Sequence, residues 1–213
     1  MNTDFKFDRE IAPGRKQKFF SQDDDYYVYR KHMFEFAENI CCFLKNNNTL
    51  KVLEVGPSSK LYVEEEFPQF STSIIEETCA RNNIYYRTLD IDQSSKADYI
   101  GSIEDLSFMT ETFDIVILIG IIEHVPKVFL VPQELYKITN DNSLLFVNTP
   151  YMFKIHGPIP DCWRFSEYGY KALFGDLFSI QNIDAFPPNE LGKNSIPLSL
   201  NVILKKNNGI LLP

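Results

Sequence analysis

Phe113-Asp114-Ile115-Val116-Ile117-Leu118-Ile119-Gly120 decides the fold class of this 213-residue chain. After Asp114 every position up to Ile119 is apolar. A strand with one wet face alternates, whereas a parallel strand covered by helices on both faces does not. Working outward, residues 50–55, 85–89, 144–148, 178–183 and 198–204 also read as strands. Helical stretches fall between them at 71–81, at 132–139 with Pro132 in the first turn, and at 166–174 closed by Gly175. Upstream, Ser21 and three aspartates at 23–25 open a helix on its positive end. Tyr26, Tyr29, Met33, Phe36, Ala37, Ile40 and Leu44 then recur at three- and four-residue steps, and the Asn run at 46–48 ends the pattern. This helix is expected to pack on the core; a lesser reading has Tyr26, Tyr27 or His32 close over a ligand as a lid. Strand and helix alternate, so the fold class is α/β around a mostly parallel sheet. The last two strands, joined through Pro187, Pro188 and Gly192, are placed to pair as a hairpin with one antiparallel strand at that edge.

The length suits one domain, which buries roughly 70% of its unfolded surface without help from disulfides or metal. Lys plus Arg number 21 against 29 for Asp plus Glu, a net charge of −8. That balance argues against nucleic acid or an anionic membrane as main partner. The longest apolar stretch, 115–122, is too short to span a bilayer. The first 13 residues hold no apolar signal region, and Cys41, Cys42, Cys79 and Cys162 form no CxxC pair. A cytoplasmic protein with reduced thiols is expected. No His/Asp/Glu set shows metal-ligand spacing, so no metal is expected.

Open α/β sheets bind ligands beyond the carboxyl ends of their strands, where strand order reverses. Leu53-Glu54-Val55-Gly56-Pro57-Ser58-Ser59 ends the first strand in such a turn, with Gly56 its one glycine. A pyrophosphate-binding turn needs more glycines, so this one fits a nucleoside better; a turn with no ligand is the alternative. Asp90 and Asp92 end the second strand, where a carboxylate accepts both ribose hydroxyls or caps a turn.

Five motifs now stand in one order: Val52-Leu53-Glu54-Val55-Gly56-Pro57, Leu89-Asp90-Ile91-Asp92, Ala97-Asp98-Tyr99-Ile100-Gly101, Phe113-Asp114-Ile115-Val116-Ile117 and Ile122-Glu123-His124-Val125-Pro126. Together they resemble the Rossmann-like S-adenosylmethionine-dependent methyltransferases, in particular the type 11 branch, over roughly residues 50 to 175. The resemblance implies a seven-stranded sheet whose last strand is antiparallel, with S-adenosylmethionine as cofactor. Residues 1–213 would form a single methyltransferase domain: an N-terminal helical segment 1–46, a Rossmann-like core 47–206 and a tail 207–213. Glu54 and Gly56 would line the methionine part of the cofactor, with Pro57 and Ser58 where the family has further glycines. Asp90, or failing it Asp92, would hold the ribose. Ser102, Ile103 and Glu104 would flank the adenine, with Ser102 where an Asp is common. Ile119 and Gly120 would face the reacting centre.

Residues 151–166 read YMFKIHGPIPDCWRFS, a long polar-aromatic loop after a central strand, where α/β enzymes place substrate residues. The segment resembles an H-G-x-P-x-D-x-W-R-[FY]-[ST] pattern of bacterial members of the family tied to surface-polysaccharide biosynthesis, with Cys162 where Tyr is frequent. The expected function is O-methylation of a sugar or nucleotide-linked sugar. His156 is the first candidate base and His124 the second, the latter also readable as a helix-start residue. Asp161 would orient the base or accept sugar hydroxyls, and Trp163 would stack on a sugar face. Arg164 would contact a phosphate or pin the loop by an ion pair. Methylation of a small amine or acid, and a degenerate cofactor-binding regulatory module, are the alternatives.

Overall fold

The computed structural model describes residues 22–57, 73–186 and 196–210, with only the backbone of 22–27. Ser58, Ser59, Ser71 and the 187–195 connection lie outside the described residues, as do the side chains of Tyr26 and Tyr27.

Helix α1 spans Gln22–Lys45 and buries the face its periodicity marks: Tyr29, Met33, Phe36, Ala37, Ile40 and Leu44. The Asn run closes it as expected, Asn46 Nδ2 donating to Cys42 O at 2.9 Å and Asn47 Nδ2 to Phe43 O at 2.9 Å. Strands β1 (Lys51–Val55), β2 (Tyr85–Asp90), β4 (Phe113–Ile119) and β5 (Thr139–Pro150) run parallel. Helices α2 (Ile74–Arg81), α3 (Val131–Lys137) and α4 (Glu167–Phe174) lie between them in sequence. Strand β3, only Tyr99–Ile100, pairs parallel with β2. It lies in one of the five motifs but is too short to show a period. Strands β6 (Phe178–Phe186) and β7 (Ser199–Lys206) form the expected antiparallel hairpin.

The seven strands lie in the order β3-β2-β1-β4-β5-β7-β6. The antiparallel strand β7 therefore sits one place in from the edge, between β5 and β6, and not at the edge. The edge position goes to β6, whose outward residues are largely exposed, while β7 is buried along nearly its whole length. Gly175 ends α4, but at a right-handed φ of −60°, so it needs no left-handed cap.

Strand β4 accounts for its own composition. Ile115, Ile117 and Ile119 pack under α1 and α2, and Val116 and Leu118 pack in the opposite cluster with α3 and α4. Both faces are dry, so both sets must be apolar. Strand order reverses at β1, between β2 and β4. The carboxyl ends of β1, β2 and β4 thus gather Gly56, Asp90 and Gly120 at one crevice. Among the described residues no helix is long and apolar enough to cross a membrane.

Candidate active site

Gly56 leaves β1 at φ +71°, and a Cβ there would collide with Ile121 Cδ1. The positive φ is what favours glycine here, while the Ile121 side-chain tip would have to turn aside for any larger residue. Its N–H donates to Leu89 O at 2.8 Å, which ties the turn to the end of β2. There the two aspartates part. Asp92 is exposed and caps its own turn, accepting from Ser94 N and Ser94 Oγ at 2.8 Å each; these bonds hold its pKa below the usual value. Asp90 is buried. Its Oδ1 accepts the Asp92 N–H at 2.8 Å, and its Oδ2 has no hydrogen-bond partner among the described residues.

Glu54 is buried on the side of the sheet under α1 and α2, where Tyr86 Oη donates to its carboxylate. Pro57 closes the described part of the turn. In the turn after β3, Ile103 is buried, Ser102 Oγ accepts from Glu104 N at 3.1 Å, and Glu104 Oε1 accepts from Lys127 N at 2.7 Å. Ile119 is buried at the end of β4, and Gly120 follows at φ +67° between Met33 and Glu123.

Beyond Gly120 the chain makes a short turn, Ile122–His124, against which the 151–166 loop is held. Cys162 N and Trp163 N both donate to Glu123 O, at 2.7 and 3.1 Å, and Trp163 Nε1 donates to Val125 O at 2.8 Å. Trp163 also meets Phe129 edge-to-face at 5.6 Å, so the indole is part of the packing of this loop. Arg164 grips Asp161 with both ends of its fork, at 2.5 and 2.7 Å, and donates to the carbonyls of Phe153, Lys154 and Trp163. Of its two sequence readings, the loop-pinning one is what this geometry describes. Burial alone would raise the Asp161 carboxyl; the bonds from Arg164 and from His156 N–H instead hold it at about 2.

His156 and His124 meet edge-to-face with ring centroids 4.9 Å apart. His156 Nδ1 lies 3.0 Å from Asp161 Oδ2, off hydrogen-bond alignment. Burial lowers the His156 pKa against the raising charge of Asp161. His124 Nδ1 bonds Pro160 O at 3.0 Å. Between the rings lies a residue that no sequence reading gave a role. Glu123 is 0% exposed, neither carboxyl oxygen has a partner among the described residues, and burial, with Asp161 adding, pushes its pKa to about 8. The signal for it was its place beside His124; its burial was not visible. Tyr29 of α1 walls the site, stacked on Phe153 at 4.6 Å. His32 does not reach it. That side chain is bonded to Ser199 and Asn201 beneath α1, so the lid reading of His32 gives way to core packing.

The fold is similar to that of solved structures described as S-adenosylmethionine-dependent methyltransferases. One from Clostridium acetobutylicum superposes with a TM-score of 0.58 at 7% identity, covering 84% of this chain and 92% of that one. Magnesium protoporphyrin IX methyltransferase from Synechocystis, solved with bound S-adenosylmethionine, gives 0.54 at 14%, covering 91% and 87%. A methyltransferase from Methanosarcina mazei gives 0.52 at 15%, covering 75% and 93%. At these identities the likeness establishes the fold. No protein-family model matches the chain, and no curated protein matches it in sequence.

Proposed function

We propose that this chain is an S-adenosylmethionine-dependent methyltransferase that O-methylates a small molecule, a sugar or nucleotide-linked sugar of surface-glycan biosynthesis. The observation that carries the cofactor assignment is Asp90 Oδ2, buried and unpartnered beside the Gly56 turn. A buried polar atom without a partner is costly, and a ribose diol supplies the missing donor. Gly56 lets backbone approach the ligand, Ile103 offers an apolar wall for the base, and the Ser102 hydroxyl keeps its proton to donate. The similar fold that was solved with S-adenosylmethionine points the same way. When bound, the cofactor supplies an electrophilic methyl group.

The rest of the work falls to the chain. A hydroxyl is a poor nucleophile near neutral pH, so its proton must leave as the methyl moves; a deprotonated amine needs this far less. Glu123, His124, His156 and Asp161 are gathered next to Gly120, at the end of the strand that faces the reacting centre. His156 is the leading acceptor-side residue, with His124 second. Asp161 and Arg164 act through His156 by fixing the loop that carries it. The sugar assignment is supported by the likeness of the 156–166 segment to glycan-pathway methyltransferases.

A mass-spectrometric screen of nucleotide sugars for gain of one methylene tests the reading. His156→Ala is expected to lower turnover by roughly 10²–10⁴-fold while leaving cofactor affinity unchanged. If neither His156→Ala nor His124→Ala alters turnover, the hydroxyl acceptor is wrong and an amine takes its place.

A further inference from the structure

Three basic atoms on two separate segments face one point. Glu123 Oε1 lies 3.8 Å from His124 Nε2 and 3.9 Å from His156 Nε2, and the three donor atoms all lie within 4.8 Å of one another. The outer ring nitrogens explain why both Nε2 atoms turn inward. Pro160 O is purely an acceptor, so His124 Nδ1 carries a proton, and the neutral ring that a metal requires has its lone pair on Nε2. Asp161 Oδ2, 3.0 Å from His156 Nδ1, favours the same tautomer there. Glu123 adds a carboxyl that is wholly buried with neither oxygen partnered among the described residues. The buried Glu123 carboxyl, its pKa raised by burial, and two imidazole nitrogens at the partly exposed edge of the site thus converge with no hydrogen bond among them.

We infer that Glu123, His124 and His156 form a binding site for one divalent transition-metal ion. Two imidazoles and one carboxylate suit zinc and its first-row neighbours; magnesium prefers an all-oxygen shell. Ligand atoms about 2.1 Å from a tetrahedral ion stand roughly 3.4 Å apart, so the two glutamate–histidine separations need to close by about half an ångström, and the two imidazole nitrogens, within 4.8 Å of each other, by more. His124 already has the outer partner that ligating histidines use, a backbone carbonyl, and Asp161 Oδ2 lies 3.0 Å from His156 Nδ1, where a small turn of the ring would make it one. Three protein ligands leave a fourth position open, as in catalytic metal sites. One consequence rests on the methyltransferase reading: an ion there would acidify an acceptor hydroxyl in the open position and relieve a free imidazole of that task.

The test uses the full chain, stripped of metal by chelator dialysis, titrated with CoCl₂ and ZnCl₂ in the absence of any nucleotide. One saturable site is expected, with cobalt absorption bands of nitrogen and oxygen ligation that zinc displaces. Cys162→Ser should retain it, which excludes the neighbouring exposed thiol as ligand. Asp161→Asn should weaken binding by roughly 10–100-fold, and Glu123→Gln and His156→Ala by more. Glu123→Gln preserves shape, so loss of binding with unchanged circular dichroism reports a lost ligand. Absence of a saturable site, full binding in Glu123→Gln and His156→Ala, or loss of binding in Cys162→Ser would each overturn the proposal. Because no cofactor is present, failure here leaves the cofactor assignment standing, and failure of the cofactor to bind leaves this one standing.

Discussion

Arg164 shows how much of the candidate site depends on single side chains. Its guanidinium reaches Asp161 and three backbone carbonyls at once, a task that needs a planar fork. Arg164→Lys keeps the charge and loses the geometry. It is expected to cost about 1–3 kcal/mol in urea unfolding and to raise the acceptor KM more than it alters cofactor affinity. Equal stability of the variant would show that the loop is held by other contacts. Cysteine reactivity gives a second check at this scale. Burial pushes the Cys79 thiol up to about 12 and raises Cys41, whereas Cys42 is exposed. Since the thiolate is the nucleophile, iodoacetamide at pH 8 should label Cys42 and spare Cys79 in the native protein, as read by peptide mass mapping. Early labelling of Cys79 would contradict its burial on α2. Asp90 was legible in the sequence as a strand-end carboxylate, but its separation from Asp92 was not. Both cap a local turn, and the difference is that Asp90 is buried with one oxygen unpartnered among the described residues, which depends on the fold. Glu123 was illegible as a site residue, because a Glu beside a turn ordinarily faces water.

At the scale of elements, α1 is joined to the sheet by more than its apolar stripe. Tyr29 Oη donates to Asn148 Oδ1 at 3.4 Å, Asn148 Nδ2 to Asn201 Oδ1 at 2.7 Å, and Asn201 Nδ2 to His32 Nε2 at 2.8 Å. His32 Nδ1 then donates to Ser199 Oγ at 2.6 Å. The chain of bonds requires a neutral imidazole. Burial lowers its pKa, outweighing Asp184, 3.8 Å away on β6, and Glu35 on its own helix. A histidine with a folded pKa below its unfolded value of about 6.5 contributes stability above that pH and loses it as pH falls. His156 acts with the same sign. Thermal stability should therefore fall below about pH 6.5, and less steeply in His32→Gln than in the wild type. Parallel pH profiles for the two proteins would remove His32 as a contributor. The periodicity of α1 was readable because packing sets it; the polar partners came from β5 and β7, far along the chain. Strand β3 escaped because two residues carry no period. The inward place of β7 escaped because pairing order is a property of the sheet and not of any strand.

At the scale of the molecule, two dry clusters sandwich one sheet, and the crevice at its switch point depends on both. Phe113 is 0% exposed at the start of β4, far from the crevice along that strand. Phe113→Ala is expected to cost about 3–5 kcal/mol in urea unfolding, a large share of a domain's stability. A loss below about 1 kcal/mol would mean that the core collapses around the gap. The α/β architecture and the crevice were legible because β4 reads as doubly covered and Gly56 stops β1. The cluster around Glu123 was not, since it forms only when the 151–166 loop folds back on the turn after β4. The central claim is that this crevice holds S-adenosylmethionine through Asp90. Its most direct test is calorimetric titration of the wild type and Asp90→Ala with S-adenosylhomocysteine. The wild type should bind one equivalent, and the folded variant should bind roughly 10- to 150-fold more weakly, the loss of about 1.5–3 kcal/mol of bonds to a charged group. No binding by the wild type, or equal affinity in a folded Asp90→Ala protein, would contradict it.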